Sequence, residues 1–226
     1  MRTKAAVAIG VGLAVLVGGG LLVDGYARGE AEDRLATELR TALGVVDEPA
    51  VMISGFPFLT QLASGELQEV RISAREVTFD GLRLTDADVV LHGVSTARPT
   101  TARAAAMTAS AALPAIQQLV EVDAELEIVD GQLTARTTVL MLPLAVTLLP
   151  RPDGRAIAVD VQTISLGGFE VDVARLPAAL TEQISGLRIP VDGLPAGMEL
   201  TSVLVTPSGI DLAAAGTDVV LETVGE

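Results

Sequence analysis

Cysteine, tryptophan and asparagine are missing from this 226-residue chain, and Lys4 is its one lysine. Without cysteine there is neither a disulfide framework nor a thiolate metal site, so packing must stabilise the fold. Without asparagine the N-x-S/T acceptor cannot occur. Aromatic residues make up 2% of the chain against 50% hydrophobic residues, so the interior has to be aliphatic, built from Val, Leu, Ile and Ala. Cations are scarce as well: 15 Lys and Arg stand against 29 Asp and Glu, a net charge of −14. Phosphate recognition needs clustered cations, so this balance argues against a nucleic-acid partner and against a polybasic dock on anionic lipid.

What the chain does have is an unbroken apolar run from Ala5 to Val23, behind Arg2 and Lys4. As a helix the run spans roughly 28 Å, close to the hydrocarbon thickness of a bilayer. The two flanking cations should stay in the cytoplasm. A cleaved signal peptide is the competing reading, with Gly25-Tyr26-Ala27 as the small-x-small site; the length of the run favours a retained anchor. The expected organisation is a cytoplasmic stub and transmembrane anchor or signal over 1–27, followed by one extracytoplasmic domain over 28–226. That places the protein in the cell membrane with a single pass, or in the periplasm or cell wall if the signal is cleaved. Without Arg2 and Lys4, 13 cations against 29 acids leave the body at −16.

From Arg28 to Leu43, Leu35, Leu39, Ala42 and Leu43 recur at helical spacing before Gly44, which predicts an amphipathic helix. Between Ala50 and Val94 the period drops to two. Glu69 to Ala74 alternates, Arg75-Glu76 shifts the phase as a β-bulge would, and Val77 and Phe79 continue the apolar face. Asp80-Gly81, Asp130-Gly131 and Asp153-Gly154 mark hairpins. Arg98 to Ser110 reads as a strand and Ala111 to Val120 as a short helix. Val139 to Leu149 is almost wholly apolar, with Pro143 arguing against a regular central strand. It reads as a strand buried on both faces, or as a wall that touches lipid. Leu176, Leu180, Ile184 and Leu187 predict a second amphipathic helix. The residues alone give one α+β domain with two helices and a large antiparallel sheet.

Catalytic signatures are absent: there is no G-x-S-x-G elbow, Walker A loop, G-x-G-x-x-G turn or H-E-x-x-H helix. His92 is the one histidine, placed at a strand end with no nucleophile near it by any motif. Asp86/Asp88 and Asp123/Glu125/Glu127 are spaced by two, which on a strand is the solvated face rather than a metal site. No enzyme activity, metal or cofactor is expected.

The stretch Ser54-Gly55-Phe56-Pro57-Phe58-Leu59-Thr60-Gln61-Leu62-Ala63-Ser64-Gly65, leading into Glu69-Val70-Arg71-Ile72, resembles the signature of the LmeA family of actinobacterial phospholipid-binding proteins. The basic start with its apolar run, the helix after it and the tail from Leu194 to Ile210 extend the resemblance over nearly the whole chain, with a looser match from Arg98 to Val120. The resemblance implies a phospholipid or related envelope lipid as partner and a role in cell-envelope lipoglycan assembly. It also implies a BPI-like, tubular lipid-binding fold, with a curved antiparallel β-sheet wrapped around a long amphipathic helix.

A lipid carrier needs an apolar concave surface, where burial is worth about 0.8 kcal/mol per CH₂. The residues expected to line it are Val70, Ile72, Leu82, Leu84, Leu126, Ile128, Leu142 and Leu144, with Leu35 and Leu39 from the helix. Phe56 and Phe58 belong to the same expectation, as a lip at the cavity mouth; the plainer reading of Phe56-Pro57-Phe58 is a rigid turn pinned into the core. Arg71 and Arg75 read as solvent-facing partners of Glu69 and Glu76 ahead of phosphate ligands. The alternative to lipid binding is a non-catalytic envelope scaffold without a cavity, and an enzyme acting on a lipid-linked sugar is the weakest reading.

Overall fold

The computed structural model describes residues 22–41, 45, 47–79, 81–119, 124–139, 141–171, 187–191 and 193–221. Helix α1 covers 22–41. It is followed by β1 (Ala50–Ser54), α2 (Phe58–Ser64), β2 (Glu66–Phe79), β3 (Leu82–Ser95), β4 (Thr100–Ala112) and α3 (Leu113–Leu119). Then come β5 (Glu125–Val129), β6 (Gln132–Val139), β7 (Leu142–Asp153), β8 (Ala156–Leu166), β9 (Phe169–Val171), β10 (Leu187–Pro190), β11 (Ala196–Thr206) and β12 (Gly209–Leu221).

The strands form two antiparallel sheets. The first has the order β1-β2-β3-β4-β12-β11 and the second β10-β8-β7-β6-β5, with β9 added on β8. The whole second sheet is therefore inserted in the chain between β4 and the β11–β12 hairpin. Short turns explain the local pairings: Asp130 and Gly131 both have positive φ, 51° and 76°, as a two-residue hairpin turn requires.

The expected single sheet wrapped around a long amphipathic helix is not what forms. Among the described residues strands hold 64% and helices 20%, there are two sheets, and α2 and α3 have 7 residues each. α1 lies against the first sheet through Ala27, Ala31 and Leu35 and does not form the axis of a wrap. The expectation failed because an amphipathic stripe states that a helix packs on something, not that a sheet encloses it. Among the described residues no helix is long and apolar enough to cross a membrane. The run Ala5–Val23 lies outside them except for Leu22 and Val23, which open α1. The predicted helix through Leu176, Leu180 and Ile184 also lies outside them, and Leu187 opens β10.

The phase slip at Arg75-Glu76 is present. Both side chains are exposed, and Val77, opposite Leu84, resumes the buried side that Val70 and Ile72 occupy opposite Leu91 and Val89. β3 slips at the same level, at Asp86 with φ 50°. The β2–β3 register therefore runs through unbroken, and the irregularity shows only between β3 and β4.

The main core lies on the first sheet, with Ile53, Phe58, Val70, Leu91, Met198 and Val219 among its buried side chains. A third cluster, Leu133, Val203 and Ile210, joins the two sheets. Arg155 ties the sheets from outside by donating to the carbonyls of Leu194, Pro195 and Met198.

α1 is fastened to β1 and α2 by three side chains one helical turn apart. Asp24 accepts the backbone N–H groups of Leu59 and Phe58 at 2.8 and 3.0 Å. Arg28 donates to the Gly55 carbonyl at 2.8 Å, and Glu32 accepts the Ile53 N–H at 2.6 Å. The Leu59 N–H, helped by the Phe58 N–H and the Arg28 guanidinium, holds the Asp24 carboxyl below the ordinary carboxylate range against the opposing effect of burial.

Candidate functional site

Alternation along the second sheet sorts its side chains by chemistry. Across the strands, Leu126 stands opposite Ala135, which stands opposite Val146, which stands opposite Ile164. The next rows on that face are Ile128, Leu133 and Leu148 on one side, and Leu144 and Leu166 on the other. Phe169 extends the row of Leu166. The opposite face carries Glu127, Thr134, Thr147 and Thr163 in one row, with ion pairs Arg136–Glu127 at 3.0 Å and Arg151–Asp160 at 2.6 Å. One face is apolar except for Thr137, opposite Leu144, and the other is mainly polar.

This corrects the reading of Val139–Leu149 as a strand buried on both faces. Leu144, Val146 and Leu148 share the apolar face, while Ala145 and Thr147 look the other way, and residues 144–148 are all half-buried. β7 is nevertheless internal to its sheet. Pro143 is accommodated because it is the second residue of the strand, beside the turn.

Among the described residues, the apolar face is packed by the first sheet and α3 at one end. Leu133, Leu148 and Leu126 pack with Val203, Ile210, Leu113 and Ile116 from the first sheet and α3. Towards the other end, Leu144 and Val146 are half-buried and Leu142 and Leu166 are exposed. At the tip, Met141 and Phe169 are 94% and 79% exposed. Met141 sits in the left-handed region, φ 67°, where the turn lifts its side chain clear of the sheet. The Gly167 N–H donates to the Pro143 carbonyl at 2.8 Å, which holds the two hairpin tips side by side. From Thr137 to Leu149 there is no charged residue.

A cleft of about 760 Å³ opens beside this face, between α3 and the β5–β6 pair, lined by Leu113, Pro114 and Leu126 with Gln117, Glu125, Arg136 and Thr137. Its volume suits a small-molecule group. Gln117 builds the wall: its side chain accepts the Leu126 N–H at 2.6 Å and donates to the Ala124 carbonyl at 2.8 Å, binding α3 to the edge strand β5. Leu126 and Thr137 belong to both the cleft and the apolar face, so the two are continuous, and Arg136 lines the cleft from the opposite face of the strand. A second cleft, of about 490 Å³, has Asp47, Glu48, Asp86 and Asp88 around Arg75, an acidic lining that repels a phosphate.

The expected lipid-lining residues fall into separate places. Phe58 and Val70 are buried in the main core with Leu35 and Ile72 against it. Leu84 anchors a second cluster that Leu82 joins. Leu39 is half-buried on α1. Phe56 is 60% exposed and Phe58 is 2% exposed, so the two rings of the signature take opposite roles, one displayed and one pinned. Leu126, Ile128, Leu142 and Leu144 are brought together on the apolar face of the second sheet. Val146, Leu166 and Phe169 join them there without having been singled out from sequence, while Arg136 lies on the opposite face, across from Ala145. Period-two alternation around the Gly167-Gly168 turn is the signal that reaches Leu166 and Phe169.

Arg71 lies 3.6 Å from Glu69 and is half-exposed, as a solvent-facing pair should be. His92 lies 3.7 Å from the same carboxylate. Among the described residues no group of three or more His, Cys, Asp or Glu side chains is placed to hold a metal ion.

Comparison with protein families matches residues 22–215 to the model for LmeA-like phospholipid-binding proteins. No curated protein and no solved structure matches the chain.

Proposed function

The chain belongs to the LmeA-like phospholipid-binding family, and on that premise we propose that it is a non-catalytic lipid carrier of the cell envelope, anchored by the run Ala5–Val23 with its domain outside the cytoplasm. The acyl chains lie on the open half of the apolar face, over Leu142, Leu144, Val146 and Leu166, and run towards Leu126 and Ile128. The headgroup sits at the cleft, where Arg136, paired with Glu127 at 3.0 Å, would exchange that carboxylate for a phosphate. Lipid presented or moved in this way serves lipoglycan assembly.

The observation that carries this reading is a sheet face without charged residues, whose Leu142, Leu166 and Phe169 are exposed among the described residues, in a chain of net charge −14. Contiguous apolar surface of this kind is retained where a partner covers it. Roughly ten methylenes laid on the face would contribute about 8 kcal/mol before the cost of ordering them. An aliphatic surface with few hydrogen-bonding groups suits fluid chains, which offer no directional contacts.

The test is photocrosslinking of the full chain with a phosphatidylglycerol that carries a diazirine on one acyl chain. Adducts should map to residues 142–146 and 164–169. Adducts confined to the polar face at Thr134 and Thr147, or none at all, would remove the lipid site and leave the scaffold reading.

A further inference from the structure

The two-turn segment after β1 has an unusual outer side. α2 turns Phe58 and Gln61 into the core, and its other face would ordinarily be polar. Here Leu59 and Leu62, three positions apart on one face, are 40% and 48% exposed, and Phe56 beside them is 60% exposed. No residue from Ser54 to Gly65 is charged.

The start of α1 lies at the same level. Asp24 bonds directly to the Phe58 and Leu59 amides. Leu22 and Val23, within two residues of it, are 77% and 60% exposed. Upstream of Val23 the sequence stays uncharged back to Ala5, so a bilayer entered by that run begins within about one helical turn, ~5 Å, of the Leu59 backbone. Tyr26 is exposed at this level too, an amphipathic ring of the kind that favours the membrane–water interface.

We propose that Phe56, Leu59 and Leu62 rest in the interface of the bilayer that the run Ala5–Val23 enters, and that Asp24, Arg28 and Glu32 fix the domain to the membrane in one pose. The partner is a lipid surface because the patch is uncharged and adjoins the apolar run. An acidic body of −16 has little else to offer an anionic membrane. The inference rests on the proposed anchoring, and it is independent of where on the domain a lipid is carried.

Because the chain has no cysteine, single-site spin labels report cleanly. The full chain, with nitroxides at F56C, L59C or L62C, is reconstituted into vesicles of equal parts phosphatidylcholine and phosphatidylglycerol. L204C, on the exposed face of the edge strand β11, is the aqueous control. The ratio of oxygen to nickel-chelate collision rates should be several-fold higher at the first three sites than at L204C. D24N should lower that ratio while the chain stays vesicle-bound.

Equal ratios at all four sites, failure of the full chain to join the vesicles, or spin–spin broadening at F56C that reports a second copy covering the patch would each overturn the proposal. The labelled sites are already exposed, so misfolding does not confound the comparison. Photocrosslinking at residues 142–146 on the same vesicles separates the two readings. Crosslinks with aqueous labels sink this inference alone, and immersed labels without crosslinks sink the carrier site alone.

Discussion

Asp24 accepts the backbone N–H of Leu59 at 2.8 Å across 35 positions of sequence, and the same carboxylate takes the Phe58 N–H with its other oxygen. A helix at the start of the described chain thus supplies the hydrogen-bond acceptor for the open end of α2, whose own N-cap residue is Pro57 with no side-chain cap bond.

The ionised form of Asp24 is favoured in the folded state, since its carboxyl is held below the ordinary 3.8. Its contribution is present above that value and is lost as pH falls through the depressed folded-state value. Asp24→Asn should therefore melt below the parent at neutral pH, with the gap closing under acid conditions. Paired thermal melts across pH measure this, and a gap that does not change with pH would show that the charge is irrelevant.

The two phenylalanines flanking Pro57 should separate sharply in stability. Phe58→Ala empties a site that is 2% exposed and should cost about 3–5 kcal/mol. Phe56→Ala should stay within about 0.5 kcal/mol. Urea denaturation of both variants checks the contrast, and similar midpoints would contradict the placement of the rings.

Close backbone approach makes Gly216 irreplaceable. A Cβ there would lie 2.0 Å from the Gly197 carbonyl oxygen, across the β11–β12 pair where the register shifts between Ala196 and Met198. Gly216→Ala should cost about 1–3 kcal/mol or more. An unchanged denaturation midpoint would mean that the strands separate there at no cost.

Charge on the open apolar face should expel lipid and spare the fold. Leu144→Asp combined with Val146→Asp is expected to weaken phospholipid retention at least tenfold, about 1.4 kcal/mol, with little change in circular dichroism. Thr147→Asp, on the opposite face, should retain lipid. Extraction and mass spectrometry of the bound lipid distinguish these outcomes, and equal retention in both variants would move the site elsewhere.

Strand periodicity and turn chemistry were legible in the residues. The slip at Arg75-Glu76, the Asp130-Gly131 turn and the weakly patterned strand before α3 all appear where their residues indicate. The second sheet as a separate layer was not legible, because hairpin signals report only neighbours in sequence. Nor could alternation tell Val70 from Leu144. Both repeat at period two, yet one is sealed by protein side chains and the other is left half open, and a hydrophobic pattern does not say what covers it. The signature around Phe56 and Phe58 was legible as a unit, but which ring points inward depends on Asp24 and α1.

β4 has one neighbour from the preceding meander, β3, and the other from the last described strand, β12. Ser110 and Asp211, bonded at 2.7 Å, are 101 positions apart. During synthesis the first four strands can assemble early, but one edge of β4, an alanine- and threonine-rich segment, stays without its partner until β12 has emerged. Any chain that stops before residue 209 keeps that edge bare, a template for pairing between molecules. Nonlocal closure also slows folding relative to a simple meander. Closing the first sheet therefore depends on the β11–β12 hairpin, and its removal should yield aggregates in place of a smaller domain.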